Sequence, residues 1–204
     1  MAEAGITTQT GIAAQILDAA QEMVQTRGYN GFSYADVSAE VGLRKASIHY
    51  HYPSKTDLCL ALVARYRAEA ECKRAWIDGY AEGADHKLLL YAHVKRDMLR
   101  DGGKICLCGA LTLDLLTLPE SVRAAVAAYF TESETWLAGV LSEGRAAGVL
   151  HFQGSAETQA QAFQSALAGA MLMARAHQNV DRYCAAAHQH LAQLGLNAPG
   201  DLEA

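Results

Sequence analysis

The segment from Gly28 to Leu58 restricts the fold of this chain more than any other part of the sequence. It contains two short helical patterns that meet at a tight turn. The first runs from Tyr34 to Val41 and follows Ser33, a residue type that caps helix N-termini. Gly42 ends it, because glycine adopts the left-handed conformation without steric cost. The second runs from about Lys45 to Tyr52, so the segment has the layout of a helix-turn-helix.

The second short helix has an apolar side and a polar side. Ile48 and Tyr52 are four residues apart, so they share the face that we expect to point inward. No acidic residue occurs between Glu40 and Asp57, whereas basic, aromatic and hydroxyl side chains fill the other face. This distribution is typical of a helix that enters the major groove of DNA.

The residues from Ala46 to Leu58 read ASIHYHYPSKTDL. This string resembles the DNA-binding domain of TetR-family repressors, in which a small pair, an aliphatic, aromatic residues with a histidine, Ser-Lys and a leucine recur. The preceding GYNGF turn and Ser33 also fit that family. His49 stands where the family often has tyrosine, which alters a usual phosphate contact. The resemblance is strong over about the first quarter of the chain and extends to the remainder only in architecture.

The resemblance implies a role for each position of the exposed face. Arg44 and Lys45 are expected to donate to guanine or to phosphate, and Ala46 allows the backbone to approach closely. Ser47, His49 and Lys55 are expected to contact phosphate. Tyr50 and His51 are expected to reach base edges or the sugar-phosphate backbone. The full predicted DNA-binding set is Ser33, Arg44, Lys45, Ala46, Ser47, His49, Tyr50, His51 and Lys55.

The whole chain has a helical composition, since alanine and leucine are abundant and Val-Ile-Thr alternation is scarce. We predict an all-α protein with a three-helix DNA-binding domain over residues 1–55 and an effector-binding and dimerisation domain over residues 56–204. After a first helix at 10–27 and the two short ones, the predicted helices are 54–80, 85–100, 105–118, 119–147, 156–178 and 181–194. Arg65, Arg67, Lys73 and Arg74 are expected to be solvated.

The net charge of −5 excludes a nonspecific polycation, although it is compatible with a specific DNA-binding protein. Residues 1–57 contain four basic and six acidic side chains, so the excess of basic over acidic residues is confined to the second short helix. We therefore expect useful affinity to require a homodimer on operator DNA. The last two helices carry Ala166 and Gly169 and suit a four-helix bundle across a two-fold axis, although they could also close the core of a monomer.

The central helices are expected to enclose a pocket for a small apolar effector, whose identity the sequence does not reveal. Its predicted lining is Tyr91, His93, Met98, Cys106, Leu111, Asp114, Phe130, Trp136 and Phe163. The expected function is a repressor that releases a pseudo-palindromic operator when this effector binds. The long helix that begins near Ser54 would carry the signal to the DNA-binding unit.

Cys106 supports an alternative function, a thiol-based sensor of oxidants or electrophiles. It follows a glycine pair at the start of a predicted helix, where the helix dipole lowers the pKa of a thiol. A free cysteine is also commonly a small buried hydrophobe. The five cysteines lack a disulfide-scaffold spacing, which indicates reduced thiols in a cytoplasmic protein.

Other classes find little support in the sequence. The spacings of His49-x-His51 and His188-x-His190 direct each pair to different helix faces, so we expect no metal site. Phosphate-binding glycine loops, nucleophile elbows and paired carboxylates are absent, so we expect neither an enzyme on a helical scaffold nor a cofactor. The chain contains no apolar run of the roughly 18 residues that a membrane span requires.

Overall fold

A computed structural model describes residues 11–196, and the outer ends of both predicted domains, 1–10 and 197–204, lie outside this part. Within it the chain forms nine α-helices and one short 3-10 turn, without a strand. The prediction of an all-α protein is confirmed. The helices are α1 Ile12–Arg27, α2 Tyr34–Val41, α3 Lys45–His51, α4 Lys55–Tyr80, α5 Ala84–Arg100, α6 Leu107–Leu113, α7 Glu120–Ala146, α8 Ala156–Ala176 and α9 Asp181–Gln193.

Helices α1, α2 and α3 pack together as the amino-terminal unit. A capping box fixes the start of α2: the Ser33 hydroxyl accepts from the backbone N–H groups of Ala35 and Asp36, and the Asp36 carboxylate accepts from the Ser33 N–H at 2.7 Å. Gly42 ends α2 in the left-handed conformation with φ 67°. The sequence-based bounds of α2 and the inward positions of Ile48 and Tyr52 are confirmed.

Helix α4 begins with a second capping box, in which Ser54 and Asp57 exchange side-chain and backbone hydrogen bonds. Its first turns pack against α1, while its later turns pack against α5 and α7. One continuous helix therefore belongs to both the amino-terminal unit and the larger domain.

The larger domain is built around α7 and α8, which pack along each other, while α8 also packs against α9 and α5 closes the other side. Its core is made of large apolar side chains that are almost completely buried. They include Leu88, Leu137, Leu141, Phe163, Leu167, Tyr183 and Leu191.

The prediction of one continuous helix over 105–118 is wrong. Helix α6 covers only Leu107–Leu113, and Leu115–Thr117 form a separate 3-10 turn. The chain leaves the α-helical path at Asp114, and the carboxylate of this residue points toward the amino-terminal unit. Asp114 accepts from the backbone N–H of Tyr29 at 2.7 Å and from the Asn30 side chain at 3.0 Å.

Gly28 makes this contact between the two parts of the chain feasible. Its φ is 80°, and a Cβ atom at this position would lie 2.7 Å from a carboxylate oxygen of Asp114. Glycine avoids both the backbone strain and the collision.

Replacing Gly28 with alanine should therefore lower the free energy of unfolding by about 1–3 kcal/mol, because strain and the Asp114 contact both oppose the new methyl group. Urea unfolding followed by circular dichroism measures the change. Gly139→Ala is the matched control, since a Cβ there meets nothing within 4 Å; it should stabilise the protein by about 0.5–1 kcal/mol. Equal stability of the two variants would contradict the packing described here.

Candidate DNA-binding surface and internal cavity

Helix α3 presents a polar surface because its apolar side chains anchor it from below. Ile48 and Tyr52 are buried, and the hydroxyl of Tyr34 donates to the carbonyl of Tyr52 at 2.8 Å. This bond joins α2 to the end of α3. The orientation of the surface is thus fixed by the packing of the three-helix unit.

The predicted DNA-binding residues mostly lie on this surface. Arg44, Lys45, Ala46, His49 and Tyr50 are exposed, while Ser47 and His51 are half-buried. Tyr50 has 85% of its surface exposed, which is unusual for an aromatic side chain in a folded domain. The structure brings these side chains together on one face of α3 and its N-terminus.

Two predicted positions have structural tasks. The Ser33 hydroxyl is occupied by the cap of α2. Lys55 lies in the first turn of α4, and its ammonium donates to the carbonyls of Tyr29 at 2.5 Å and Phe32 at 2.6 Å. It also lies over both aromatic rings, at 4.4 and 4.2 Å from their centroids. Burial lowers the pKa of the Lys55 ammonium. Lys55 thus ties α4 to the turn before α2, which sequence reasoning did not anticipate.

His49 is held in place although it is exposed. Its ring packs against Tyr34 with the centroids 4.7 Å apart, and Nδ1 lies 3.1 Å from the Pro53 carbonyl oxygen. This imidazole occupies the position where TetR-like sequences often carry a tyrosine, so the surface here differs from the usual one.

A cavity of about 40 Å³ lies between α4, α5 and α7. At about 10–15 Å³ for each water molecule, this space holds a few waters and is smaller than a site for a drug-sized ligand. Its lining residues are Tyr66, Glu69, Ala70, Lys73, Arg74, Ile77, Tyr91, Val94, Lys95, Met98, Tyr129 and Ser133.

The cavity wall is charged as well as aromatic. Lys95 and Arg74 are only 5% and 9% exposed. The Arg74 guanidinium donates to the Ser133 hydroxyl at 3.4 Å, and the Lys95 ammonium lies 4.6 Å from the ring centroid of Tyr91. Burial disfavours the charge of Lys95, but electrostatic interactions with Tyr91 and Cys106 outweigh it and raise the pKa above its ordinary value.

Three tyrosines surround these cations. Burial raises the pKa of Tyr66 and of Tyr129 well above the ordinary value, so both hydroxyls keep their protons. The Tyr91 hydroxyl donates to the side-chain oxygen of Gln164 at 2.6 Å. The Cys106 thiol lies behind this wall and contacts the Tyr129 hydroxyl at 3.4 Å.

Of the predicted pocket residues, the structure places only Tyr91 and Met98 in this lining. Leu111 and Phe163 belong to the apolar core, and Phe130 packs at its margin. His93 is half-buried on α5, and Cys106 is separated from the cavity by Tyr129. Trp136 donates to Asp78 at 2.9 Å, while Asp114 bonds to the turn after α1.

Sequence reasoning missed most of the polar wall, namely Tyr66, Arg74, Lys95, Tyr129 and Ser133. The expectation that Arg74 is solvated is wrong, because α5 and α7 cover that side of α4. The available signal was a basic residue within one turn of the buried Ile77, and this pattern is common on solvated helix faces.

A second, larger depression adjoins the cavity between α1, α4 and α5 and shares Tyr66, Glu69 and Met98 with its lining. Ion pairs cross it: Arg65 meets Asp18 at 2.6 Å, and Lys104 meets Glu22 at 2.7 Å. The wall of the cavity is therefore in contact with α1, the first helix of the amino-terminal unit.

Two further contacts hold the carboxyl-terminal half of α1. The Gln25 side chain donates to the carbonyl of Ile105 at 2.8 Å. From α8, Arg175 donates to the carbonyls of Gln25 at 3.1 Å and Thr26 at 2.5 Å. Helix α1 is thus fixed to the larger domain at several points along its length.

Comparison with known proteins identifies the class to which this architecture belongs. Residues 16–62 match the family model of bacterial regulatory proteins of the TetR family, and residues 88–191 match a tetracycline repressor-like C-terminal domain. The chain therefore belongs to the TetR family, and it is a DNA-binding transcriptional regulator with a helix-turn-helix.

Individual relatives are similar to this protein over most of its length. A TetR-family regulator from Agrobacterium tumefaciens is 38% identical, with a TM-score of 0.87, and the match covers 89% of this chain and 96% of that one. A TetR regulator from Legionella pneumophila is 25% identical, with a TM-score of 0.83, over 92% and 99% of the two chains. The transcriptional regulator AcuR of Cereibacter sphaeroides is 26% identical over 166 residues, which cover 78% of this chain and 74% of that protein.

Within residues 11–196, no group of three or more His, Cys, Asp or Glu side chains is arranged to hold a metal ion. None of the helices described there is long and apolar enough to cross a membrane.

The position of Lys55 leads to a stability test. Lys55→Met should lower the free energy of unfolding by about 1–3 kcal/mol, because two backbone carbonyls lose a charged donor. Lys45→Met, an identical change on the exposed side of α3, should alter stability by less than about 0.5 kcal/mol. Urea unfolding of both variants measures the difference, and a Lys55→Met variant as stable as the parent would show that these bonds contribute nothing.

Proposed function

We propose that this protein is a homodimeric repressor that binds a pseudo-palindromic operator through α3 and releases it when a small effector enters the α4–α5–α7 cavity. The observation that carries the proposal is the shared helix α4. It begins beside the DNA-facing surface at Ser54 and contributes Tyr66 and Arg74 to the cavity wall.

The exposed face of α3 supplies the DNA contacts in this proposal. Arg44 and Lys45 lie at the helix N-terminus, the end that enters the major groove in helix-turn-helix proteins. Tyr50 projects from the same surface and offers both a ring and a hydroxyl. These groups suit a combination of phosphate contacts and base-edge contacts. The Ser33 and Lys55 side chains contribute by fixing the helices that present this face.

Release follows from the connections between the two parts of the chain. A ligand that requires a wider cavity must shift α4 relative to α5 and α7. Because α1 is bonded to α4, α8 and the segment around Asp114, such a shift changes the position of the DNA-binding unit. By linkage, ligand and operator then lower each other's affinity.

The dimer is proposed to form through α8 and α9. A groove between them is lined largely by small side chains, including Ser165, Ala166, Gly169 and Ala185. Met173 lies in this groove with 54% of its surface exposed. Small residues allow two helix pairs to approach closely across a two-fold axis, and an exposed methionine gains from being covered.

The thiol-sensor alternative receives little support from the geometry. Cys106 is buried and its sulfur contacts Tyr129, so an oxidant has no direct route to it. Burial also raises the pKa of the neighbouring Cys108 thiol, which makes it less reactive.

Lys45→Ala should weaken binding to an operator selected from random duplex DNA by about tenfold. It should also reduce the salt dependence of binding by about one unit in the log–log slope, because one phosphate contact is lost. Mobility shifts at several salt concentrations measure both quantities. Arg123→Ala removes the same charge from an exposed position on α7 and should change neither. If the two variants bind alike, α3 is not the DNA-reading helix.

Met173→Glu should weaken the dimer by about 2 kcal/mol or more, since a two-fold axis brings two buried charges into the interface. Analytical ultracentrifugation should show monomer at concentrations where the parent is dimeric, with a parallel loss of operator affinity. Ala127→Glu, on an exposed part of α7, should leave the dimer intact. A dimeric Met173→Glu variant would place the interface elsewhere.

A further inference from the structure

Two buried cations in the cavity wall lack the partner that buried charges usually have. The ion pairs among residues 11–196 include Arg65, Arg67, Lys87 and Lys104, but neither Lys95 nor Arg74 forms one. Glu132, which lies one residue before Ser133 on α7, forms its ion pair with Arg67 and interacts with Arg74 only as a weaker electrostatic partner. An ionised group that is removed from water without a counter-charge destabilises the folded state.

The acidic residue in the lining does not compensate for these charges. Glu69 is half-buried, and its carboxylate lies 3.6 Å from the Arg65 guanidinium, on the side of α4 that faces the larger depression. The lining therefore contains three basic side chains, Lys73, Arg74 and Lys95, against this one acid. The Tyr91 ring compensates Lys95 in part, through its negative face.

We propose that the effector is a small organic anion, a short-chain carboxylate, held in the α4–α5–α7 cavity between the Lys95 ammonium and the Arg74 guanidinium. This inference rests on the proposed function, because it names the chemical class of the effector of that same site. It replaces the apolar effector expected from the sequence.

The side chains around the two cations suit a carboxylate. The Ser133 hydroxyl contacts Arg74, while the Tyr66 and Tyr129 hydroxyls keep their protons, interact with Cys106 and leave the wall uncharged at these positions. Guanidinium groups bind carboxylates in a bidentate manner, and an ammonium adds a point charge. Because Lys95 and Arg74 are buried, these interactions are stronger than they would be at the surface.

The apolar part of the lining favours a carboxylate over inorganic phosphate. A volume of about 40 Å³ restricts the ligand to a small molecule, and acetate and phosphate both meet this limit. Ala70, Ile77, Val94 and Met98 add apolar surface to the wall, which suits a short carbon chain. A phosphate ion would leave this apolar surface without a partner.

Binding of such an anion gives a direct physical signal. Arg74 belongs to α4, Lys95 to α5 and Ser133 to α7, so an anion bound by both cations bridges these helices. A carboxylate between the two cations attracts both and changes the separation of α4 and α5. The amino-terminal end of α4 carries this change to the DNA-binding unit.

The first test compares matched probes that differ in charge. Acetate, propionate and butyrate should raise the melting temperature by about 3–6 °C at about ten times the dissociation constant. The corresponding amides, the corresponding alkylamines and inorganic phosphate should have no effect. Stabilisation by the amides or amines would overturn the assignment of charge, and stabilisation by phosphate alone would overturn that of a carboxylate.

The second test removes each cation while keeping the length of its side chain. Lys95→Met and Arg74→Met should each reduce the affinity for the best carboxylate by at least about tenfold. Lys95→Met should also melt at a higher temperature than the parent without ligand, because an unpaired buried charge is gone. If Lys95 had a purely structural role, Lys95→Met would instead melt at a lower temperature than the parent. Arg123→Met, at an exposed position of α7, should behave like the parent.

Mobility shifts separate this inference from the proposed function. Operator release by carboxylates in the parent, with loss of release in Lys95→Met, supports both. Operator release only by a neutral or cationic compound would overturn the carboxylate proposal and keep the ligand-responsive repressor. Carboxylate binding that leaves operator affinity unchanged would overturn the repressor mechanism and keep the anion site.

Discussion

The continuity of α4 is the constraint on which the rest of the structure depends. A helix of 26 residues transmits displacement along its axis because its backbone hydrogen bonds leave few soft torsions. Its first turn is fixed by the capping box of Ser54 and by the Lys55 ammonium, which binds the turn before α2. Its later turns form one wall of the cavity. The DNA-facing surface and the cavity are therefore not independent of each other.

The contacts of α1 reinforce this connection from three other directions. Asp114 binds the turn after α1, Arg175 binds the last carbonyls of α1, and Lys104 forms an ion pair with Glu22. In each of these contacts the two partners lie more than 80 residues apart in the sequence. Together they make the amino-terminal unit a part of the larger body, with few points at which it could move without disturbing another helix.

The cavity shows how a stability cost can serve a binding site. Lys95 and Arg74 are buried without ion pairs among the described residues, and a well-packed apolar wall would stabilise the fold better. The retention of charge beside three tyrosine hydroxyls and the Ser133 hydroxyl is understandable if an anion completes the arrangement.

The sequence by itself determined the helical class, the family, the boundaries of most helices and the face of α3 that points outward. These properties follow from local rules, since Ser33 and Gly42 act on their own helix ends and Ile48 and Tyr52 lie on one face through helical periodicity. Only the tertiary structure decided the break at Asp114, the inward position of Lys55 and the polar wall containing Arg74 and Lys95. The reason is that the sequence around a charged helical residue is the same whether water or another helix covers its side chain. Its environment is set by helix packing between distant parts of the chain, which local periodicity does not encode.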